Sequence, residues 1–226
     1  MRLFLFLSIF VFLSASLFAE DSLTLSSKGE LIYEENFEEL TKRLQVGEGK
    51  WQIVDGASIK GMQQKEDGHT AFRKMFLDHQ DVIYQFDIML EDTAYAKFLI
   101  NYERVHLANC IIKPKEFSIS KLNEVNKRKQ MEALAKAEGK PVEKGDWQKK
   151  NVVLAREEIS IEKGQWCTVT IELVGDQMVA HLGDVTLRGK HPGLKERKTN
   201  FGIQAAGLNG WVHFCNLRIW KAEPKA

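Results

Sequence analysis

Apolar and polar residues alternate with a period of two over much of the chain, in short runs separated by turn residues. In "DVIYQFDIMLED" Tyr84, Phe86, Ile88 and Leu90 fall on one side and Ile83 on the other, which predicts a long strand with one strongly apolar face. In "QWCTVTIELVGDQMVAHLGDVTLRG" Cys167, Val169, Ile171 and Leu173 share a face. Met178, Ala180 and Leu182 continue it beyond a Gly-Asp turn, and a second Gly-Asp extends the meander. "KWQIVDGASIKG" sets Trp51 with Ile53 and turns at Asp55 and Gly56, a hairpin. "AKFLINYE", "LANCIIKP" and "EFSISKL" predict three more strands, with Pro114 at the turn between the last two, and "TNFGIQAAG" and "WVHFCNLRIW" close the chain. Many short strands without βαβ alternation predict an all-β fold, an antiparallel jelly-roll β-sandwich, in one domain over residues 20–226.

One stretch breaks the period. In "GLNGWVHFCNLRIW" Val212 and Phe214 have one parity and Leu217 and Ile219 the other, so an unbroken strand would expose one of these pairs. A β-bulge at Cys215 and Asn216 adds one residue and brings all four to the core face. Trp211, His213 and Arg218 then face away, and the Asn216 amide is suited to satisfy the irregular backbone.

A second departure lies at 120–150, where Lys, Glu and Ala dominate. Met131, Leu134 and Ala135 form one helical stripe, and Gly139 and Pro141 supply a stop, so a helical insertion between strands is expected. It reads either as a solvated surface helix or as a docking arm for a protein partner, since nine basic residues there face five acidic ones.

The first nineteen residues, one Arg followed by an apolar run ending in small residues, have the form of a secretory signal peptide, with cleavage after Ala19. The run is shorter than the about 20 apolar residues a spanning helix needs. A secreted or periplasmic location follows as an expectation. Removing Arg2 with the leader leaves 31 basic residues against 31 acidic ones, so no bulk field recruits nucleic acid or an acidic membrane. Cys110, Cys167 and Cys215 are an odd number for an exported chain; Cys167, in step with core residues, is expected to be a buried free thiol.

"ENFEE" at 35–39, "WQIVDGASIKG" at 51–61, "IELVGDQMVAHLGD" at 171–184 and "FGIQAAGLNGWVHFCNLRIW" at 201–220 are similar to the 3-keto-disaccharide hydrolase-like family. The resemblance covers most of the mature chain except the insertion. It implies a concanavalin A-like jelly roll, of a kind abundant in exported bacterial proteins, and glycan or oxidised-sugar chemistry. The family's Asn-Ser-Gly run followed by Arg in the central strand is absent, and Asn101 in "FLINYERVH" is its nearest counterpart.

Retaining glycosidases of this architecture carry E-x-D-x-E on one strand, which sets two carboxylates about 5 Å apart. The corresponding positions here are Gln85, Asp87, Met89 and Glu91, so ordinary retaining hydrolysis is not expected. A keto-sugar instead needs one base for the acidic proton beside the carbonyl and a donor for the enolate oxygen. His69, His106 and His213 are eligible bases, Arg104 an eligible donor and Trp211 a stacking platform. Each has a plainer role open to it: loop organisation for His69, register or capping for His106, packing for Trp211. The candidate ligand-binding set is therefore Trp211, His213, His106, Arg104 and His69. No cofactor motif and no metal-ligand spacing is present; acids near Asp176 and Asp184 fit hairpin turns as well as calcium.

The expected leading function is glycan recognition on one concave sheet, with Trp211 stacking on the sugar and His213, His106 and Arg104 supplying hydrogen bonds. An active keto-sugar hydrolase and an interaction module are the alternatives.

Overall fold

The computed structural model describes residues 23–38, 44–46, 48–92, 94–103, 105–141, 148–208 and 210–225. The expected leader (1–19) and Arg104 lie outside them. Each alternating run becomes a strand. The first half of the chain forms β1 (Ser26–Glu35), β2 (Leu44–Val46), β3 (Lys50–Val54), β4 (Ser58–Met62), β5 (Ala71–His79), β6 (Val82–Leu90), β7 (Tyr95–Tyr102), β8 (Val105–Lys113) and β9 (Glu116–Lys121). Helix α1 (Val125–Ala137) follows. The chain then runs through β10 (Val152–Glu158), β11 (Trp166–Val174), β12 (Gln177–Leu182), β13 (Val185–Lys190), β14 (Lys198–Ala206) and β15 (Val212–Pro224).

These strands build two antiparallel sheets, an all-β jelly-roll sandwich as the pattern predicts. Sheet I has the order β13-β12-β11-β6-β15-β4-β3, with β1 on the second half of β15; sheet II has the order β10-β9-β8-β7-β14-β5-β2. The residues in step on β6, β11, β12 and β15 are buried and meet those of β7, β8 and β14. Phe98 is the hinge of this packing, stacked on Phe86 at 4.8 Å and on Phe201 at 5.7 Å. Burial of each such side chain contributes roughly 1.5–3 kcal/mol.

The bulge stands where the parity break placed it. Cys215 lies opposite Asp87 and Arg218 opposite Gln85, so β15 spends three steps where β6 spends two. Val212, Phe214, Leu217 and Ile219 are all buried as a result. Asn216 takes a left-handed φ of 52°, a conformation that Asn tolerates better than most residues. Its amide does not return to the backbone as expected. It donates to Asp87 Oδ2 at 2.7 Å, because the kink aims it across the ladder at that carboxylate. The β3–β4 hairpin has φ of 52° at Asp55 and 63° at Gly56, the left-handed pair that a tight hairpin turn requires.

Helix α1 lies in the expected insertion, of which 142–147 fall outside the described residues. Asn123 closes its base, donating from N and Nδ2 to Asn151 Oδ1 at 2.9 Å each, and Lys127 reaches Glu196 at 2.5 Å. Met131 and Leu134 are 44% and 50% exposed, so the apolar stripe does not pack on the sandwich. Cys110 is buried in sheet II and Cys167 is half-buried against the core; with Cys215 they are free thiols.

Sheet I also holds a buried carboxylate that ties down the start of the described chain. Glu172 accepts from the backbone N–H of Thr24 (2.8 Å), Leu25 (2.9 Å) and Ser26 (3.0 Å), from Ser26 Oγ, and lies 3.0 Å from His181 Nε2. Burial alone would raise its pKa, but these bonds outweigh burial and hold it at about 2.

Candidate functional site

On sheet II the side chains that alternate away from the core surround a hollow of about 260 Å³. Gly202 makes its floor. It sits between Leu99 on β7 and Lys74 on β5, and a Cβ there would come within 2.9 Å of the Arg73 carbonyl oxygen. A side chain at this place would fill the depression. The walls are His69, Phe72 and Gln204 at one end, Asn101, Glu103 and His106 at the other, with Lys74 between. The size is just under the roughly 300–1,000 Å³ of sites for drug-sized ligands, so it suits a small ring or one end of a chain.

The polar wall is ordered by a chain of hydrogen bonds that begins at a backbone carbonyl. Asn200 Nδ2 donates to Glu103 O at 2.9 Å. Because a carbonyl only accepts, the amide orientation of Asn200 is determined and its Oδ1 is an acceptor. Asn101 Nδ2 donates to that Oδ1 at 2.9 Å, leaving Asn101 Oδ1 as an acceptor for His106 Nδ1 at 2.7 Å. His106 Nδ1 must therefore carry the proton, and in the neutral ring Nε2 holds an open lone pair. Among the described residues no group hydrogen-bonds to Nε2. Burial, then the charges of Lys74 and His69, hold the His106 pKa below the ordinary imidazole value, so the neutral tautomer prevails at pH 7. Asn101 and Asn200 are buried, which keeps the relay rigid.

His69 stands in the β4–β5 loop at the other end. Its Nδ1 bonds to Thr70 O at 3.1 Å, and its ring meets Phe72 edge-on at 5.6 Å. Lys74 Nζ bonds to Glu103 O at 3.3 Å and lies 5.1 Å from the centre of the Phe76 ring.

The five expected ligand residues are thus divided. His69 and His106 line one hollow and Arg104 lies outside the described residues, whereas Trp211 and His213 belong to the outer face of sheet I. The expected grouping of Trp211 and His213 with His106 on one face is corrected by strand pairing. β15 is laddered between β6 and β4, and β8 between β7 and β9, so outward residues of the two strands point away from each other. His213 is 5% exposed, its Nε2 bound to Glu91 Oε1 at 2.7 Å, beneath the edge of Trp166. The Trp211 indole is half-buried, with Lys60 Nζ at 4.6 Å and Lys50 Nζ at 5.5 Å from its ring centre.

Two other candidate chemistries also find their places. Asp87 accepts from Thr168 Oγ1 at 2.6 Å as well as from Asn216, and Glu91, just past the end of β6, is held by His213, so both acids are engaged on sheet I. Asp176 and Asp184 occupy turns at opposite ends of β12, with Lys190 and Lys195 beside Asp176. Among the described residues no group of His, Cys, Asp and Glu has the arrangement of a metal site.

Asn200, Gly202 and Gln204 are outside the expected set. All three sit in "TNFGIQAAG", where they alternate with Phe201, Ile203 and Ala205, and a strand whose outward face is Asn, Gly, Gln was the available signal.

No protein-family model matches the chain, and no curated protein does. Solved structures do share the fold. The carbohydrate-binding module CBM66 from Bacillus subtilis is 13% identical with a TM-score of 0.56, over 79% of this chain and 96% of that one. A Bacillus subtilis protein of unknown function with a galectin-like fold is 7% identical with a TM-score of 0.57, over 89% and 100%. A Bacillus licheniformis beta-glucanase is 5% identical with a TM-score of 0.55, over 85% and 98%. At these identities what is shared is the jelly-roll sandwich itself.

Proposed function

We propose that the chain is a carbohydrate-recognising jelly-roll domain, working outside the cytoplasm, whose ligand enters the hollow on sheet II. The observation that carries this reading is the relay from Glu103 O through Asn200 and Asn101 to His106, which presents one oriented acceptor, Nε2, at the wall of a sugar-sized depression. A sugar hydroxyl donates to Nε2, while Lys74 and Gln204 offer donors to ring and hydroxyl oxygens and Phe72 offers an apolar edge. The fold shared with a carbohydrate-binding module and a glucanase supports the same reading.

The relay also favours a second reading, an active 3-keto-disaccharide hydrolase, to which the resemblance at both ends of the domain points. Nε2 would take the proton from the carbon beside the ketone. The electron pair left behind would form the enolate, whose collapse expels the glycosidic oxygen; the imidazolium returns its proton to that leaving group, and water adds afterwards. The docking-arm reading of residues 120–150 has less support, since α1 does not line the hollow.

Incubation of the mature protein with a 3-keto-disaccharide and with its unoxidised parent separates the two. Binding of either sugar that is lost in His106→Ala supports recognition, and cleavage of the keto form alone, lost in the same variant, supports the hydrolase. Binding and cleavage both unchanged in His106→Ala remove the hollow from both readings.

A further inference from the structure

We propose that the outer face of sheet I carries a second, separate site, which takes an acidic polysaccharide. The site is built on one row of the sheet. Trp166 on β11, Met89 on β6, His213 on β15, Lys60 on β4 and Gln52 on β3 are successive ladder partners, and Trp211, just before β15, and Lys50 on β3 flank that row. All of these residues alternate away from the core.

Two features of this row are unexplained by folding. The first is charge. Lys60 and Lys50 bring their ammonium groups to 4.6 and 5.5 Å from the centre of one indole, and neither forms an ion pair among the described residues. Other surface lysines here do find carboxylates, among them Lys221 with Glu30 at 2.6 Å and Lys113 with Glu116 at 2.8 Å. Glu91, whose backbone N–H donates to the Trp211 carbonyl at 2.9 Å, turns its side chain instead to His213 at 2.7 Å. Two like charges are thus gathered on one ring with the adjacent carboxylate already engaged, which leaves a place for an anion from outside.

The second is the exposed indole. Trp166 is 43% exposed, and the imidazole of His213 stands at 84° to it, a centroid distance of 6.1 Å away, fixing its edge. It lies two strand spacings from His213, so a ring resting on it is about 10 Å from the β15 strand and on the same face as the lysines. Lys60 lies three strand spacings from Trp166, roughly 14 Å, which matches a polymer rather than a single sugar: one ring stacks on Trp166 and the carboxylate or sulfate of a neighbouring unit in the same chain reaches the lysines. Nucleic acid fits less well, since two cations on a chain whose mature net charge is zero create no extended field.

This site does not depend on the hollow of sheet II, and the two are tested by variants on opposite faces. Affinity electrophoresis of the mature chain against polygalacturonate, heparin, laminarin and duplex DNA is the experiment. Retardation by polygalacturonate or heparin, weakening as salt rises, is expected, with no retardation by DNA at the same salt. The Lys50→Gln/Lys60→Gln double variant should lose at least about tenfold in affinity, as for one lost charge-assisted contact, and Trp166→Ala should lose severalfold. His106→Ala should bind acidic glycans as the parent does. Circular dichroism verifies that each variant is folded. No retardation by either acidic polymer, unchanged binding by the folded double variant, loss in His106→Ala alone, or equal binding of DNA would each overturn the proposal.

Discussion

His106 Nδ1 stands 2.7 Å from Oδ1 of Asn101, and that single contact decides which nitrogen of the ring is open to a ligand. Replacing the amide by a carboxylate keeps the shape and changes the charge. In Asn101→Asp the anion favours the imidazolium, so the His106 pKa, held below its ordinary value in the parent, should rise. A ligand that donates to neutral Nε2 is bound above that pKa and released below it. The binding inflection should therefore lie below about 6.5 in the parent and move upward in the variant. An NMR titration of the imidazole beside a binding–pH profile reads both; an inflection that stays in place contradicts the relay.

Acid stability follows from two groups whose folded pKa values are depressed. His79, buried and bonded to Leu77 O and to the Tyr84 hydroxyl, is lowered to about 4, chiefly by desolvation, and Glu172 is held at about 2. In both cases the unfolded chain binds more protons within the window, so stability rises with pH there. Stability should be full above about pH 6.5, fall first as pH drops toward 4 through His79, and fall again from about 4.5 toward 2 through Glu172, by a few kcal/mol over each window. Chemical denaturation across that range checks it. A profile flat from pH 6.5 to 3 would refute it.

Glu172→Gln should keep one acceptor and lose the charge, costing on the order of 2 kcal/mol at pH 7 and freeing the segment from Leu23 to Ser26. Limited proteolysis should then cut near Thr24 faster than in the parent, while the rest of the sandwich stays resistant. Equal protection would mean that β1 alone holds the segment.

The bulge predicts an asymmetric response at Asn216. Asn216→Gly accepts the left-handed φ and loses only the bond to Asp87, about 1 kcal/mol, whereas Asn216→Val forces a β-branched residue into that conformation and should cost roughly 1–3 kcal/mol more. Deleting Asn216 should prevent folding, because it would turn either Val212 and Phe214 or Leu217 and Ile219 to solvent. Denaturant midpoints for the two substitutions, and solubility for the deletion, are the measurements.

What the sequence disclosed and what it withheld can be set side by side on β15. The bulge was legible because parity is a local property: Phe214 and Leu217 are three residues apart and both must be buried. The sheet to which His213 belongs was not, since it depends on β15 pairing with β6 and β4, more than a hundred residues away, and no short pattern encodes that choice. The same holds for the hollow. His106 and Asn101 stand out singly in their own segments and Asn200 does not, but nothing local joins the three; only the β7–β14 and β7–β8 ladders bring them into one relay. Gly202 was hidden for a different reason: its role is to leave space, and space has no sequence signal of its own.

The hollow of sheet II is proposed to hold sugar through the open nitrogen of His106. Titration of isotope-labelled protein with a 3-keto-disaccharide and with its unoxidised parent, reading the histidine ring nitrogens and the Asn and Gln side-chain amides, tests this most directly. At least one of the two sugars should shift His106 Nε2, Asn101 and Gln204 together, with Nδ1 of His106 still protonated and His213 unmoved. Silence at His106 with both sugars, or shifts confined to His213 and the Trp211 indole, would contradict it.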